Sequence, residues 1–552
     1  MQLHPSFVSR SRHNKARESA AAPRPNFSAK LTPALIVKIT QAAISTIERH
    51  NSEFGTAVNS VIDSLDSHQP PWTISQVCRA WRQATVGVPV LWSTIAVDLD
   101  RTHNAPGSPR YDRLCLMLQR SADCSLTLVV LNREARLPNS RDPLLDLLMQ
   151  HSRRWFSLDL AIKGNLIPSM TPIHGKLSRI QKLSVKHTEP HSAKDDSAFT
   201  PFESFELAPM LTDVTQYAFQ HIVRTFALPW PQIKTYTTFF ADYRDCLQIM
   251  KESANTMERC NYEENSAAEG RPPLGMVEMI EMRKLSHFRL DLNAGTLDRM
   301  AADLPRFFNA LSFPVIEEMR LSWAPHIPFH PSVGKMLRRT NVRIRVLDLE
   351  IQISPWELID AIQHMVYLSK LGLYWYDEEM ITEMGYRFGG TIAPSLTHFQ
   401  LECPSKLDAL EDMIKSRQNP PPADPRKPAR PISVILLVKR YTNKYLKFRP
   451  MMRKMMKEWP GFDIRIAETG YFGSRIPDAS EWGLLGDPAM EEDWDDDYLK
   501  KIGTSGVPTS QGEGSGKGTG RSYQEDSDDD SEGSYSDGSD DGYSDDMDVD
   551  QR

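Results

Sequence analysis

Two pairs of histidines have the spacing of metal ligands on a helix: His187 with His191, and His326 with His330. Residues four apart lie on one face of an α-helix, so each pair could place two imidazoles on one metal ion. A proline stands inside each pair, however, and proline interrupts a helix. The glutamate within the first pair is also misplaced for the His-Glu-x-x-His arrangement of zinc peptidases. The sequence therefore predicts loop histidines and no metal site.

Residues 512–518 read Gly-Glu-Gly-Ser-Gly-Lys-Gly and superficially resemble a phosphate-binding loop. Such a loop needs a strand before it, a helix after it and a Ser or Thr next to the lysine, and all three are missing from the pattern. No nucleophile elbow, dinucleotide fingerprint or Cys/His ligand spacing occurs in a supporting context. The six cysteines include no Cys-x-x-Cys pair, which indicates reduced thiols. We expect no catalytic residue, no cofactor and no metal, and therefore a protein that is not an enzyme.

The stretch 72–97 has the pattern of a binding module instead. Its first part predicts an amphipathic helix that is N-capped by Thr73 and ended by Gly87. Pro89 is expected to begin a second, shorter helix that includes Ile95. Two short helices with tryptophan side chains need a partner, either within this chain or outside it. The apolar positions of the first helix, spaced i, i+3, i+4 and i+7, are Ile74, Val77, Cys78 and Trp81.

Residues 77–82 (Val-Cys-Arg-Ala-Trp-Arg) and 89–95 (Pro-Val-Leu-Trp-Ser-Thr-Ile) resemble the second half of an F-box. The match is to the form that recurs in mushroom-forming fungi, and it extends over about twenty residues. Residues 31–39 fit the first helix of such a box, although Ala34 stands where the family usually has glutamate. A long polar insertion separates that helix from Trp72.

In that family the box is a three-helix unit that docks on the Skp-type adaptor of a cullin ubiquitin ligase. The resemblance implies that residues 31–97 form this unit and that eight residues form or support the apolar contact with the adaptor. They are Pro33, Leu35, Ile36, Val77, Cys78, Trp81, Leu91 and Trp92. The alternative is that the tryptophans fill the protein's own core, as buried aromatic side chains usually do.

A second pattern recurs through the middle of the chain. Strand-like alternation starts from apolar anchors at positions 260, 288, 319, 347, 371 and 399, which are separated by 28, 31, 28, 24 and 28 residues. Helical patches such as 300–311 lie between these strands, and a strand followed by a helix at this period is typical of leucine-rich repeats. We therefore expect an α/β fold, with the helical F-box-like unit followed by an irregular leucine-rich-repeat-like solenoid at 158–466. A non-repetitive α/β domain is the alternative.

The charge distribution is asymmetric. The net charge of the 552 residues is −7, but residues 523–552 hold thirteen acidic groups and one basic group, a net of −12. The rest of the chain is therefore about +5, which does not argue for nucleic-acid binding. No apolar run is long enough for a membrane span or a secretory signal, so we expect a cytoplasmic or nuclear protein.

The remaining segments are predicted from their composition. Residues 1–30 read as a disordered leader and residues 98–157 as a connecting helix and strand segment. Residues 467–502 read as a weakly ordered extension. Residues 503–552 read as a disordered Gly/Ser linker followed by the acidic tail.

These patterns predict a non-catalytic, substrate-recruiting F-box subunit of a Skp–cullin–F-box ubiquitin ligase. The expected partners are the Skp-type adaptor, the cullin scaffold and a protein substrate that the sequence does not identify. The alternative is a leucine-rich-repeat-like scaffold whose degenerate F-box does not bind the adaptor. In a third hypothesis, the acidic tail engages basic partners such as histones.

Overall fold

In a computed structural model of the chain, the residues described are 31–54, 62–101, 104–132, 142–162, 164–187, 202–217, 226–239, 243–264, 275, 277–292, 297–323, 331–340, 343–375, 378–385, 392–402, 408–418, 433–439 and 464–469. The contacts divide the chain into residues 1–480 and 481–552, and all described residues belong to the first unit. The predictions for the leader 1–30, the tail 503–552 and most of the extension 467–502 lie outside the described residues. So do those for His191, His326 and His330.

The described residues form a mixed α/β structure. Its α-helices are α1 (Pro33–Phe54), α2 (Trp72–Gln76), α3 (Arg79–Val86), α4 (Pro109–Arg120), α5 (Pro143–Gln150), α6 (Tyr243–Glu252), α7 (Leu297–Asn309), α8 (Pro331–Thr340), α9 (Pro355–Ile362), α10 (Glu378–Glu383) and α11 (Asp408–Gln418). Short 3-10 helices lie at Pro89–Trp92, Ser152–Arg154, Gly164–Ile173, Glu203–Phe205 and Trp230–Gln232.

The strands are β1 (Thr94–Asp98), β2 (Leu126–Leu131), β3 (Trp155–Ile162), β4 (Lys182–His187), β5 (Asp213–Tyr217), β6 (Thr235–Phe239), β7 (Arg259–Glu264), β8 (Ile280–Glu281), β9 (His287–Leu292), β10 (Leu311–Ser312), β11 (Glu318–Trp323), β12 (Val346–Gln352), β13 (Lys370–Trp375), β14 (His398–Glu402), β15 (Ser433–Lys439) and β16 (Ile464–Thr469). Of these described strands, fourteen form one parallel sheet in which each strand pairs with the next along the chain, while β8 and β10 pair with each other. The α/β fold class is confirmed.

The predicted strand anchors form one continuous row across the sheet. Each pairs in register with the next, and every one of them is almost fully buried. Because side chains alternate between the two faces of a strand, the residue two positions further on is buried as well. These two rows share one hydrophobic cluster with helix residues such as Met336 and Leu358, and this burial stabilises the stacked strands. The anchors are Cys260, Phe288, Met319, Leu347, Leu371 and Phe399.

Several helices begin with the same local signal, a capping side chain followed by proline. Ser108 accepts a hydrogen bond from a backbone N–H of the first turn of α4, and Asp142 does the same for α5. Ser354 begins α9 in a capping box with Glu357. Each cap accepts a hydrogen bond from a backbone N–H that has no partner within the helix. Proline fits the first helical position because it has no N–H there that would need a partner.

The sequence predicts one helix followed by a shorter one in the stretch 72–97, and the structure differs from this prediction. The first helix is broken into α2 and α3, because Cys78 has an extended backbone (φ −161°, ψ 176°) and serves as the N-cap residue of α3. Thr73 lies inside α2, so its predicted N-cap role is wrong. Gly87 does end α3, as predicted, and Pro89 begins the short 3-10 helix. Ile95, however, belongs to β1 and not to a helix.

The parallel sheet thus begins at Thr94, inside the segment predicted as the helical unit. Strands β1 and β2 and the first residues of β3 precede residue 158, where the repeats were expected to start. Secondary structure therefore crosses both predicted boundaries, at 97 and at 157.

The outer edge of β1 is covered by residues just before α2. The backbone N–H of Ser64 donates to the Ala96 carbonyl at 2.8 Å, and the Ala96 N–H donates to Ser64 Oγ at 2.9 Å. An unpaired strand edge can recruit other strands, and these two hydrogen bonds occupy it. Trp72 Nε1 donates to the Ser64 carbonyl at 2.8 Å, which links this covering segment to α2.

A buried ion pair reinforces the same contact. The side chain of Asp63 is fully buried and pairs with Arg110 of α4 at 2.5 Å. Burial raises the pKa of Asp63, and the charge of Arg110 only partly offsets it. Arg110 also donates to the Asp98 carbonyl at 2.8 Å, while Arg113 donates to the Leu65 carbonyl at 2.6 Å. Residues 62–72 are therefore bonded to both the first strand and the first long helix beside it.

Candidate interaction surface

The described residues contain no group of three His, Cys, Asp or Glu side chains that could hold a metal ion. A small cavity between β9, α6 and α7 is lined by Tyr243, Leu290, Leu292, Leu304 and Phe307, and the Tyr243 hydroxyl donates to the Asp303 carboxylate. No helix in this part of the chain is both long and apolar enough to cross a membrane.

Three of the eight residues predicted to contact an adaptor lie in the protein core. Ile36, Leu91 and Trp92 are each at most 1% exposed. Trp92 Nε1 donates to the Thr85 carbonyl of α3 at 3.0 Å, so its polar atom is satisfied within the chain. These three side chains hold the helices together and are not accessible to a partner in this structure.

Trp92 packs edge-on against a second tryptophan beside the first part of the sheet. The ring centroids of Trp72 and Trp92 are 4.9 Å apart, with their planes at 76°. The guanidinium carbon of Arg120, in the last turn of α4, lies 4.3 Å from the Trp92 centroid and 5.3 Å from that of Trp72. Such a cation–π contact contributes roughly 0.5–2 kcal/mol, depending on desolvation. The tryptophans thus connect the helical unit to α4.

The other five predicted residues remain at least partly accessible. Pro33, Leu35 and Val77 are exposed, the last two at 43% and 56%, and Cys78 and Trp81 are half-buried. They are brought onto neighbouring elements, because α1 packs on α3 and on the 3-10 helix, and α2 packs on α3.

Two further apolar side chains belong to this surface. Ile39 lies one turn after Leu35 on α1, and Val90 lies on the 3-10 helix; both are exposed. The i, i+4 spacing of Leu35 and Ile39 was visible in the sequence, but spacing alone does not tell an exposed apolar face from a buried one. We call Pro33, Leu35, Ile39, Val77 and Val90 the apolar surface of the helical unit.

The described side chains of these elements carry only positive charge, whereas Glu48 and Glu53 lie in the second half of α1. Lys38, Arg79 and Arg82 are exposed, and the segments 33–46 and 72–92 contain no Asp or Glu. Exposed apolar side chains on elements that also carry exposed positive charges favour a partner with an apolar groove and a negative rim.

Sequence comparisons leave this surface without a precedent. No protein-family model matches the chain, and no curated protein matches it.

A second surface is the face of the sheet opposite the core, which is half-buried at most positions and buried at Ser322, Asp348, Tyr374 and Gln400. Its side chains alternate with the buried rows and are mostly polar. We call it the polar face, formed between β3 and β14 by Asp159, Ser184, Lys186, Thr215, Tyr217, Thr237, Phe239, Asn261, Glu263, Arg289, Asp291, Arg320, Ser322, Asp348, Glu350, Gly372, Tyr374 and Gln400.

Neighbouring strands exchange side-chain contacts across the polar face. Ser322 Oγ donates to Glu350 at 3.1 Å, and Gln400 Nε2 donates to the Tyr374 hydroxyl at 2.7 Å. A Cβ added at Gly372 would lie 1.7 Å from Asp348 Oδ1, so glycine makes room here for a buried carboxylate. Burial raises the pKa of Asp348, and Arg320 partly offsets this.

Trp92→Ala should destabilise the chain far more than Val77→Ser. We expect the free energy of unfolding to fall by about 3–5 kcal/mol for the buried tryptophan, because its removal leaves a cavity. Val77→Ser, at an exposed position, should change it by less than about 0.5 kcal/mol. Denaturant unfolding followed by far-UV circular dichroism measures both. Equal effects would contradict the division into core and surface residues.

Asp159→Asn should alter the pH dependence of stability. Burial raises the pKa of Asp159 to about 6 in the folded chain, and the hydrogen bond from Ser184 at 3.0 Å only partly offsets it. The folded state then holds this proton more tightly than the unfolded state, whose pKa is 3.8. The stability that this bound proton gives the folded state is fully present below pH 3.8 and is lost as the pH rises to about 6.

The variant should therefore be more stable than the wild type at pH 7.5, by up to about 3 kcal/mol, and much closer to it at pH 4. Urea unfolding at both pH values measures this, with the exposed Asp123→Asn as the control. A difference that is the same at both pH values would refute the assignment.

Proposed function

We propose that this chain is a non-catalytic, substrate-recruiting F-box subunit of a Skp–cullin–F-box ubiquitin ligase. The apolar surface of the helical unit binds the Skp-type adaptor, and the strands and helices that follow hold the protein target. The observation that carries the proposal is the exposure of apolar side chains on α1, on the α2–α3 junction and on the 3-10 helix, elements that pack on one another. The resemblance of residues 77–82 and 89–95 to an F-box points to the same elements.

The predicted adaptor residues then take two roles. Pro33, Leu35 and Val77 contact the adaptor directly, with Cys78 and Trp81 at the margin of the contact. Ile36, Leu91 and Trp92 act from beneath, because they fix the helices that carry the exposed residues. Positive charge from Lys38, Arg79 and Arg82 selects an acidic partner and speeds its association.

The sheet supports the second half of the proposal. Parallel strands paired in chain order, with helices between them and apolar anchors in one register row, are features that a leucine-rich-repeat-like solenoid would share. In such an array the polar face supplies a long row of side chains for recognition. A ligase subunit of this kind performs no reaction itself, because placing the target near the transferring enzyme raises the rate through proximity. Its place of action is the cytoplasm or nucleus.

A specific observation favours a second candidate function. Trp72 and Trp92 pack beside α4, and residues 63–65 cover the edge of β1, so the helical unit also serves as a cap for the sheet. In the alternative, capping is its sole role and the chain is a scaffold that never binds the adaptor. The two functions share one structure and differ in whether the apolar surface is used.

Leu35→Asp and Val77→Asp should each abolish adaptor binding without unfolding the chain. A charge placed in an apolar contact is desolvated without a partner, which we expect to weaken binding at least about tenfold. Leu207→Asp is the matched control, since Leu207 is a similarly exposed apolar residue outside the helical unit (57% exposed). Pull-down of the full chain with a purified Skp-type adaptor measures binding, and circular dichroism checks the fold.

A folded wild-type chain that never retains the adaptor would leave the scaffold as the function. Loss of binding in Leu207→Asp as well as in the other two would show that the effect is not specific to the apolar surface.

A further inference from the structure

Two aromatic rings stack in register on the polar face. Tyr217 of β5 pairs with Phe239 of β6; their ring centroids are 4.4 Å apart and their planes differ by 7°. Both side chains are half-buried, and neither belongs to the core rows. The stack therefore presents one outer ring face on Tyr217 and one on Phe239.

The outer face of Tyr217 is already covered by a cation of the chain. Lys186 is the register partner of Tyr217 on β4, and its Nζ lies over the ring at 5.9 Å from the centroid. Rings 4.4 Å apart leave no room for an ammonium group between them, so Lys186 lies on the far side of Tyr217. The remaining ring face, that of Phe239, is turned towards β7, and within the described residues no cation lies over it.

A carboxylate stands beside that free ring face. Glu263 of β7 is the register partner of Phe239, and Asp291 of β9 is the register partner of Glu263. Carboxylates directly opposite each other on adjacent strands repel. Asp291 is compensated by Arg289 at 3.3 Å, but Glu263 accepts no hydrogen bond from the described residues. Burial raises the pKa of Glu263, the charge of Asp291 raises it further and Arg289 partly offsets both.

In this row of side chains the negative charge of Glu263 is only partly offset by Arg289, so one further positive charge beside Glu263 would be stabilised. Adjacent strands are about 4.8 Å apart, so a flat group stacked on Phe239 comes within reach of the Glu263 carboxylate. A guanidinium group meets both demands, because it stacks on aromatic rings and donates paired hydrogen bonds to a carboxylate. The guanidinium would lie over the outer ring face of Phe239, as the Lys186 ammonium lies over the outer ring face of Tyr217.

We propose that the polar face binds an arginine side chain of a partner protein between Phe239 and Glu263. The inference rests on the proposed function in one respect, since that function makes the partner a recruited target. It thereby adds a substrate class, proteins with an accessible arginine in an extended segment. The residues of this site are Lys186, Tyr217, Phe239, Glu263 and Asp291.

The test uses the full chain and a fluorescein-labelled Gly-Arg-Gly-Gly-Arg-Gly peptide. Its control peptide carries citrulline in place of arginine, which keeps the planar shape and removes the charge. Fluorescence anisotropy should give at least about tenfold tighter binding of the arginine peptide. Glu263→Gln and Phe239→Leu should each weaken that binding about tenfold, whereas Glu258→Gln, which removes a carboxylate just before the start of β7, should not.

The acidic tail also attracts arginine, but it is present in every variant and so cannot produce a difference between them. Glu263→Gln removes a repulsion, so this variant should fold even if Phe239→Leu does not. Equal binding of the two peptides, or wild-type affinity in Glu263→Gln, would overturn the proposal.

The adaptor pull-down keeps this inference separate from the proposed function. Glu263→Gln should retain the adaptor, and Leu35→Asp should retain the peptide. A wild-type chain that binds the adaptor but does not prefer the arginine peptide over the citrulline peptide refutes the inference alone. A peptide site in a chain that never binds the adaptor refutes the ligase role and leaves an arginine-binding scaffold.

Discussion

The pair of hydrogen bonds between Ser64 and Ala96 closes the first edge of the parallel sheet, and the arrangement of the N-terminal part follows from it. A sheet whose strands pair in chain order has an unpaired edge at its first strand, and such an edge must be covered to avoid aggregation. Once residues 63–65 lie on that edge, Asp63 meets Arg110 and the Trp72 indole meets the Ser64 carbonyl. The helical unit is thereby fixed to the sheet. Its buried residues Leu65, Trp72, Leu91 and Trp92 belong to the same hydrophobic cluster as the sheet.

This attachment divides the helical unit into two sides with different duties. On one side, Ile36, Leu91 and Trp92 are buried in packing contacts. On the other side, Leu35 and Val77 stay exposed on elements that those buried residues hold in place. The most conspicuous motif residue, Trp92, is therefore a structural support for a surface made by less conspicuous neighbours. The polar face forms a separate surface on the same unit, with its own chemistry of stacked rings and carboxylates. We infer one surface for the ligase machinery and one for the target.

Local rules explain which features could be predicted from the sequence. The alternation at Phe288 and Leu371 and the cap at Asp142 depend on neighbours within a few residues, so the buried row and the start of α5 were predictable. The break at Cys78 has no comparable signal, because helical spacing continues across it. The covering of β1 by Ser64 joins residues far apart in sequence. The row from Lys186 to Glu263 depends on strand register, which no single segment specifies.

The central claim is that the accessible side of the helical unit binds an acidic Skp-type adaptor while its other side stays fixed to the sheet. Hydrogen exchange of the full chain, with and without the purified adaptor, tests it most directly because it reports each segment separately. We predict that adaptor slows exchange in residues 33–46 and 72–92 and leaves β4 to β14 unchanged. Unchanged exchange in those two segments at saturating adaptor, or slowing confined to the polar face, would contradict the claim.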